Sequence, residues 1–234
     1  MTAPAATRDV TALGAAIFDA YGTLLDVHAP MAALAPRLGE NWRQISADWR
    51  SKQLEYSWVR SLTGHGQHQD LWRCTLDALD FVFARHRLND DGLRDALLHA
   101  YRACPAYPEV PAMLRALRDA GISTAILSNG EPAMLAAATT AAGIADLLDD
   151  VLSVEAVGVF KPHPLVYRLP ERRFGLPARD MAFISANAWD SQAALAYGYR
   201  AIRVNRDNAP DEYGLRGAVP ELPDLTGLPG LLAS

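Results

Sequence analysis

A chain of 234 residues that is 50% hydrophobic and 21% charged has room for one large domain or two unequal ones, with apolar side chains enough for a core. That excludes a disordered or fibrous protein. Its 22 Lys and Arg against 27 Asp and Glu give a net charge of −5, too acidic and too evenly mixed for a protein held on nucleic-acid phosphates, so an anionic ligand must be met by local cations.

Met1–Val10 has one cation, Arg8, and no apolar h-region, and reads as a loose leader rather than a signal peptide. No apolar run reaches the roughly 18 residues that span a bilayer. Ala15-Ala16-Ile17-Phe18 is a first buried strand ending at Asp19. From about Ala29 to Tyr107 the pattern is helical throughout. Trp42, Ile45, Trp49, Tyr56 and Val59 recur at three- and four-residue steps, with a gap at Lys52, as one apolar stripe, and Leu71–Ala84 and Leu93–Tyr101 are further amphipathic helices. Packing of a small bundle accounts for these aromatics.

Beyond Tyr107 helices and strands alternate. Helix Val110–Ala120, closed by Gly121, leads to strand Ser123–Leu127. Helix Pro132–Ala142, closed by Gly143, leads to strand Asp150–Val154. Helix Pro164–Phe174 leads to strand Met181–Ile184, and helix Ser191–Tyr197, closed by Gly198, to strand Ala201–Val204. The tail Asn208–Ser234, with Pro210, Pro220, Pro223 and Pro229, reads as turns and short surface elements. The fold class is α/β: a doubly wound parallel sheet, residues 1–28 and 108–234, with a helical cap subdomain, residues 29–107, inserted after the first strand. Cys74 and Cys104 fit neither a metal spacing nor a disulfide framework and read as reduced, buried thiols of a cytoplasmic protein.

In such a sheet ligands bind beyond the carboxyl ends of the strands, and polar residues stand just past four of them. They are Asp19, Ser128-Asn129, Lys161-Pro162 and Ser185-Ala186-Asn187-Ala188-Trp189-Asp190. Singly, each candidate has an ordinary explanation. Asp19, Ser128 and Asp190 can cap turns or helices, Lys161 can be a surface lysine, and Thr23 can close a turn. Arg50 can lie on a solvated helix face, and Leu54, Tyr167 and Trp189 can be packing. Convergence of four clusters on one small volume speaks for a site.

Phe18-Asp19-Ala20-Tyr21-Gly22-Thr23-Leu24, Ile126-Leu127-Ser128-Asn129-Gly130, Phe160-Lys161-Pro162 with Val166-Tyr167, and Phe183 to Asp190 resemble the four motifs of the haloacid dehalogenase superfamily. Trp49 to Tyr56 resembles the cap helix of its (S)-2-haloacid dehalogenase branch, and the similarity runs from about Ala15 to Arg206. The resemblance implies hydrolysis of short (S)-2-haloalkanoic acids through an ester on Asp19, aimed by Lys161 and Thr23. Arg50 would receive the halide, with Asn129 donating from below. Ser128 and backbone amides near Ala20 and Tyr21 would hold the substrate carboxylate. Ser185, Asn187 and Asp190 would position the hydrolytic water, with Asp190 as its base and Tyr167 in support. Leu54 and Trp189 would be apolar walls. It implies no cofactor, no metal and a homodimer.

A phosphatase of this fold would need a second aspartate where Tyr21 stands and more acids in the fourth cluster for Mg²⁺. That reading and a catalytically silent binding member are the alternatives. Four departures from the pattern stand out. Ala186 stands where Ser is frequent, and His163 where Asp is usual, which would raise local positive charge at low pH. Pro170 falls inside a helix, where proline removes a hydrogen bond. The loop Thr63-Gly64-His65-Gly66-Gln67-His68 is long and polar. Its His65 and His68 lack a third metal ligand, and the loop is expected to shift substrate size or halogen preference.

Overall fold

The computed structural model describes residues 13–63 and 68–233. The leader Met1–Val10 and most of the Thr63–His68 loop, His65 included, lie outside the described residues. The elements run β1 (Ala15–Phe18), α1 (Ala29–Ala33), α2 (Ala35–Leu38), α3 (Trp42–Thr63), α4 (Leu71–Arg85), α5 (Asp91–Arg102) and α6 (Val110–Asp119). There follow β2 (Ser123–Ser128), α7 (Pro132–Ala141), β3 (Asp150–Ser153), α8 (Pro164–Phe174), β4 (Met181–Ser185), α9 (Ala188–Tyr197), β5 (Arg200–Val204), β6 (Glu221–Leu222) and α10 (Leu228–Ala233). Among the described residues no helix is long and apolar enough to cross a membrane.

The strands form one sheet in the order β3-β2-β1-β4-β5-β6, parallel throughout. Every residue of β1 is buried, as a central strand covered on both faces requires. The chain winds one way from β1 to β2 and the other way to β4, so a crevice opens beyond Asp19 and Ser185, where the direction of winding reverses.

Helices α1 to α5 interpose between β1 and α6, and the chain leaves and returns side by side. Leu25 pairs with Ala106 in an antiparallel bridge, Asp26 N–H donates to Pro105 O at 2.8 Å, and Tyr107 N–H donates to Leu24 O at 3.0 Å. Asp70 and Asp90 cap α4 and α5 by accepting the Arg73 and Leu93 N–H groups, both at 2.8 Å. Three contacts lay α3 across the carboxyl edge of the sheet. Arg50 Nη2 donates to Tyr21 O at 3.2 Å, the Trp58 ring meets Trp189 edge-on at 5.5 Å, and Phe160 N–H donates to Ser61 Oγ at 2.8 Å.

Three sequence expectations need correction. The apolar stripe of α3 does not run through Val59, which is 50% exposed. The helical step of 3.6 carries the buried face from Trp49 to Gln53 and Ser57 instead. Helix α9 begins at Ala188 and not Ser191, because Asn187 takes the extended N-cap conformation and Asp190 falls in the first turn, where a carboxylate complements the helix dipole. Helix α8 runs from Pro164 to Phe174 with Pro170 buried inside it, as expected. The tail is more than surface: β6 extends the sheet, and Leu215, Val219, Leu225 and Leu228 are buried. Cys74 and Cys104 are both free and buried.

Candidate active site

The ladder of β1 continues to Asp19, whose N–H donates to Ile184 O at 3.0 Å, so the side chain emerges at the carboxyl end of the sheet. Asp19 Oδ1 accepts from Lys161 Nζ at 3.1 Å; Oδ2 accepts from Thr23 Oγ1 at 3.1 Å and Asn187 Nδ2 at 2.8 Å. Among the described residues every polar side-chain partner of Asp19 acts as a donor to it. The turn beneath is tight. Gly22 takes φ +94, open to glycine at no steric cost, and the N–H groups of Thr23, Leu24 and Leu25 converge on Ala20 O at 2.9–3.2 Å. The N–H groups of Ala20 and Tyr21 are left donating to no group among the described residues.

Behind Asp19 lies a second buried carboxylate. Lys161 Nζ also donates to Asp190 Oδ2 at 2.8 Å, Ser185 Oγ reaches the same oxygen at 3.2 Å, and Tyr167 O–H donates to Asp190 Oδ1 at 2.6 Å. Burial works against the Lys161 ammonium, but the charges of Asp19 and Asp190 outweigh it and its pKa ends above the ordinary lysine value. Burial holds Asp190 above the usual carboxylate range, against the pull of Lys161 and with the charge of Asp19 adding to it. Tyr167, buried against the Asp190 charge, is pushed well above the usual phenol value and stays a donor. Of the ordinary explanations, a surface lysine is ruled out: Lys161 is 1% exposed.

Ser128 is not a helix cap, since Glu131 holds that position of α7; its Oγ accepts from Gly130 N–H at 3.1 Å. Asn129 Oδ1 accepts from Lys161 N–H at 2.8 Å, which turns the amide so that Nδ2 is left as the donor. Arg50 forms no ion pair with a carboxylate among the described residues. It rests on two neutral oxygens, Gln53 Oε1 at 2.7 Å and Tyr21 O at 3.2 Å. Leu54 follows one turn later on the same helix, and Trp189 packs against Trp58.

The structure thus joins Asp19, Thr23, Lys161, Tyr167, Ser185, Asn187 and Asp190 in one hydrogen-bonded network. Asn129 is attached through Lys161 N–H, and Arg50 through Tyr21 O. Ala186 serves through its backbone, donating N–H to Thr23 Oγ1 at 2.9 Å. His163, exposed, caps α8 by accepting Leu165 N–H at Nδ1. His68 pairs with Glu155 at 2.8 Å.

Where a divalent cation would need oxygens, the site presents N–H groups. Asn187 Nδ2 sits between Asp19 Oδ2 and Tyr21 O, at 2.8 and 3.3 Å, and a donor in that place does not suit a cation. Among the described residues no group of three or more His, Cys, Asp or Glu could hold a metal ion.

A family model described as haloacid dehalogenase-like hydrolase matches residues 13–198. The chain belongs to that family. The (S)-2-haloacid dehalogenase 1 of Pseudomonas sp. (strain CBS-3) is 41% identical over 219 residues, 93% of this chain and 96% of that protein. The (S)-2-haloacid dehalogenase 4A of Burkholderia cepacia is 40% identical over 225 residues, 96% of each. The solved L-2-haloacid dehalogenase from Xanthobacter autotrophicus with chloropropionic acid covalently bound has a TM-score of 0.84 at 34% identity, covering 95% of this chain and 99% of that one.

Sequence reasoning missed four residues at this dehalogenase-like site. Gln53 holds Arg50, Trp58 holds Trp189, Ser61 accepts Phe160 N–H, and Arg206 donates from Nη2 to Thr23 O at 2.9 Å. Counting turns from Arg50 reaches the first three, since residue 53 stands three positions on and residues 54, 58 and 61 follow at steps of four, four and three. Arg206 lies beyond the last matched motif and had no such signal.

Proposed function

We propose that this chain hydrolyses short (S)-2-haloalkanoic acids to (R)-2-hydroxyalkanoic acids through an ester on Asp19. The observation that carries the reading is a buried carboxylate whose every polar partner among the described residues is a donor, near a guanidinium that has no anionic partner among them. The Ala20 and Tyr21 N–H groups, with Ser128, take the substrate carboxylate. Asp19 Oδ1, which has a single donor where Oδ2 has two, keeps a lone pair for backside attack on the carbon bearing the halogen. One inversion follows. The halide leaves as a stable anion that needs no proton, received by Arg50 and by Asn129 Nδ2. Contacts that strengthen as this charge develops accelerate the step.

Water then attacks the carboxyl carbon of Asp19, the bond from that carbon to the product oxygen breaks, and the proton that Asp190 takes from water passes to the leaving alkoxide. Asp190 acts as the base, held by Lys161, Tyr167 and Ser185, while Asn187 and Thr23 keep Asp19 Oδ2 in place. Leu54 and Trp189 limit bulk water. We divide the chain accordingly into an α/β core, residues 1–28 and 108–234, and a helical cap, residues 29–107.

The test is halide release from both enantiomers of 2-chloropropionate, with and without chelator, and a single turnover in heavy-oxygen water. Release from the (S) enantiomer alone, unaffected by chelator, with the label entering the Asp19 carboxyl, is the expected result. Label that enters the product directly while the protein stays unlabelled overturns the ester mechanism.

The same reading extends to assembly as a homodimer. Val59 and Leu62 on α3 and Phe81 on α4 are 50%, 85% and 36% exposed, and the adjoining groove is lined by Glu55, Tyr56, Val59, Arg60 and Asp77. Apolar residues flanked by both signs of charge suit a two-fold contact. Leu62→Glu is expected to convert a dimer in light scattering into a monomer, and a wild-type chain that elutes as a monomer refutes the reading.

A further inference from the structure

Gln53 is an amide on the buried face of α3, 1% exposed, and burying an amide without partners costs at least roughly 2 kcal/mol. Its partners are all present. Oε1 accepts from Arg50 Nη1 at 2.7 Å; Nε2 donates to Thr75 Oγ1 at 2.6 Å and to Tyr101 OH at 3.1 Å. The orientation of the amide is fixed from both ends. A guanidinium has only donors, so the atom facing it is the oxygen. Thr75 gives its own hydrogen to Leu71 O at 2.8 Å, so it can only accept from Gln53.

The frame around the amide is stiff. Trp49 Nε1 donates to Thr75 O at 3.0 Å. The Tyr101 ring stacks on Tyr21 at 5.6 Å and leans on Trp49 at 5.0 Å. Burial pushes the Tyr101 phenol up to about 12, so it stays neutral.

We propose that Gln53 is a positioning residue for the halide-accepting cation, orienting the Arg50 guanidinium through a neutral acceptor that leaves its charge uncompensated. This rests on the dehalogenation reading of Arg50. Gln53 Oε1 and Tyr21 O take two of the guanidinium's five donors, with the Tyr101 hydroxyl also in hydrogen-bonding reach, and the rest are left for the departing ion. A carboxylate in place of Gln53 would hold the guanidinium more tightly and cancel the charge that draws the halide; an apolar side chain would leave the guanidinium free to turn.

The experiment compares wild type, Gln53→Met and Gln53→Glu in three measurements. They are steady-state kinetics with (S)-2-chloro- and (S)-2-bromopropionate, bromide binding followed by tryptophan fluorescence, and thermal denaturation. Gln53→Met is expected to lose roughly tenfold or more in kcat, with KM within about threefold. The loss is larger for chloride, the poorer leaving group, and bromide affinity falls in parallel. Gln53→Glu loses more at neutral pH and recovers toward wild type as the new carboxyl is protonated and becomes the shape and polarity of the amide, a rescue that a packing role would not produce.

Unchanged bromide affinity and an unchanged chloride-to-bromide ratio in Gln53→Met, with an active wild type, overturn the positioning role and leave the dehalogenase reading standing. A wild type that releases no halide yet binds bromide through Gln53 overturns the dehalogenase reading and leaves the anion-positioning role. A loss fully accounted for by a smaller folded fraction, with normal kinetics in what folds, also overturns the proposal.

Discussion

Tyr167→Phe isolates the support given to Asp190. It removes one O–H, donated at 2.6 Å to Asp190 Oδ1, and leaves the ring among Phe183 and Tyr197. Asp190 is wholly buried and its other oxygen already serves Lys161 and Ser185, so water does not replace the lost donor. A hydrogen bond to a charged group is worth about 1.5–3 kcal/mol. At about 2 kcal/mol the Tm of a chain this size falls by about 4–8 °C, and the loss falls on the ionised form of Asp190.

The sign of the pH dependence follows from linkage. Asp190 has its folded pKa raised by burial, so the folded state binds that proton more tightly and its ionisation subtracts stability as pH rises through the folded value. The variant pushes the same way, so the Tm gap to wild type is widest where Asp190 is ionised and narrows as pH falls through its raised folded value. In the reaction the same loss lowers the fraction of Asp190 in the ionised form that takes the proton of water, so ester hydrolysis slows, by up to roughly thirtyfold for about 2 kcal/mol where the pH lies below the raised value, while ester formation changes little. Rapid-quench mass spectrometry of the intact protein should therefore show the ester accumulating in the variant. A Tm gap that stays constant across the acid titration, or ester hydrolysis as fast as in wild type, refutes the argument.

Four further outcomes follow from the geometry. Arg50→Met should slow ester formation roughly 150-fold, the effect of about 3 kcal/mol from one well-placed donor, and leave hydrolysis of a formed ester unchanged; single-turnover halide release checks this. Lys161→Met strands two buried carboxylates, and breaking such a pair costs roughly 3–5 kcal/mol, read by denaturant unfolding. Because the Lys161 pKa is raised, its contribution is fully present below the ordinary lysine value and lost as pH climbs through the raised one, so the alkaline fall in Tm should be steeper in wild type than in Lys161→Met. In Gly22→Ala an added Cβ meets nothing nearer than Asn187 Nδ2 at 3.9 Å, so the cost is that of φ +94 alone, about 1–2 kcal/mol, measurable as a Tm shift with little change in the substrate profile.

The sheet was legible because each strand is a short apolar run ending in a polar cluster, and parallel burial on both faces demands that pattern. The same clusters exposed Asp19, Ser128, Lys161 and Asp190, since chemistry at a strand end interrupts the apolar pattern visibly. Legibility failed where polar residues are buried for support. Gln53 and Ser57 on the inner face of α3 read as solvated positions, so the stripe was drawn through Tyr56 and Val59. Their burial depends on Thr75, Tyr101 and Leu54 O, and partners at sequence distances of 22 and 48 leave no local periodicity. Arg206 was hidden for the same reason, bonded across 183 positions to Thr23 O.

The charges also explain why one pocket suits a halide leaving group. Lys161 with Asp19 and Asp190 is one ammonium between two carboxylates, while Arg50 stands uncompensated across the turn. In the proposed reaction, the ester on Asp19 takes one negative charge out of the trio and places it on the halide beside Arg50. The trio is left as a balanced Lys161–Asp190 pair, and Arg50 gains the partner it lacked. No net charge is created, and each cation has one anion at the moment the bond breaks, which keeps the barrier low where water is scarce. A phosphoryl group would bring further negative charge to the same crevice, where Asn187 presents an amide donor between Asp19 Oδ2 and Tyr21 O and Tyr21 supplies no acid for the leaving oxygen. The same two facts that leave a phosphate ester unserved are those that a departing monatomic ion does not need changed.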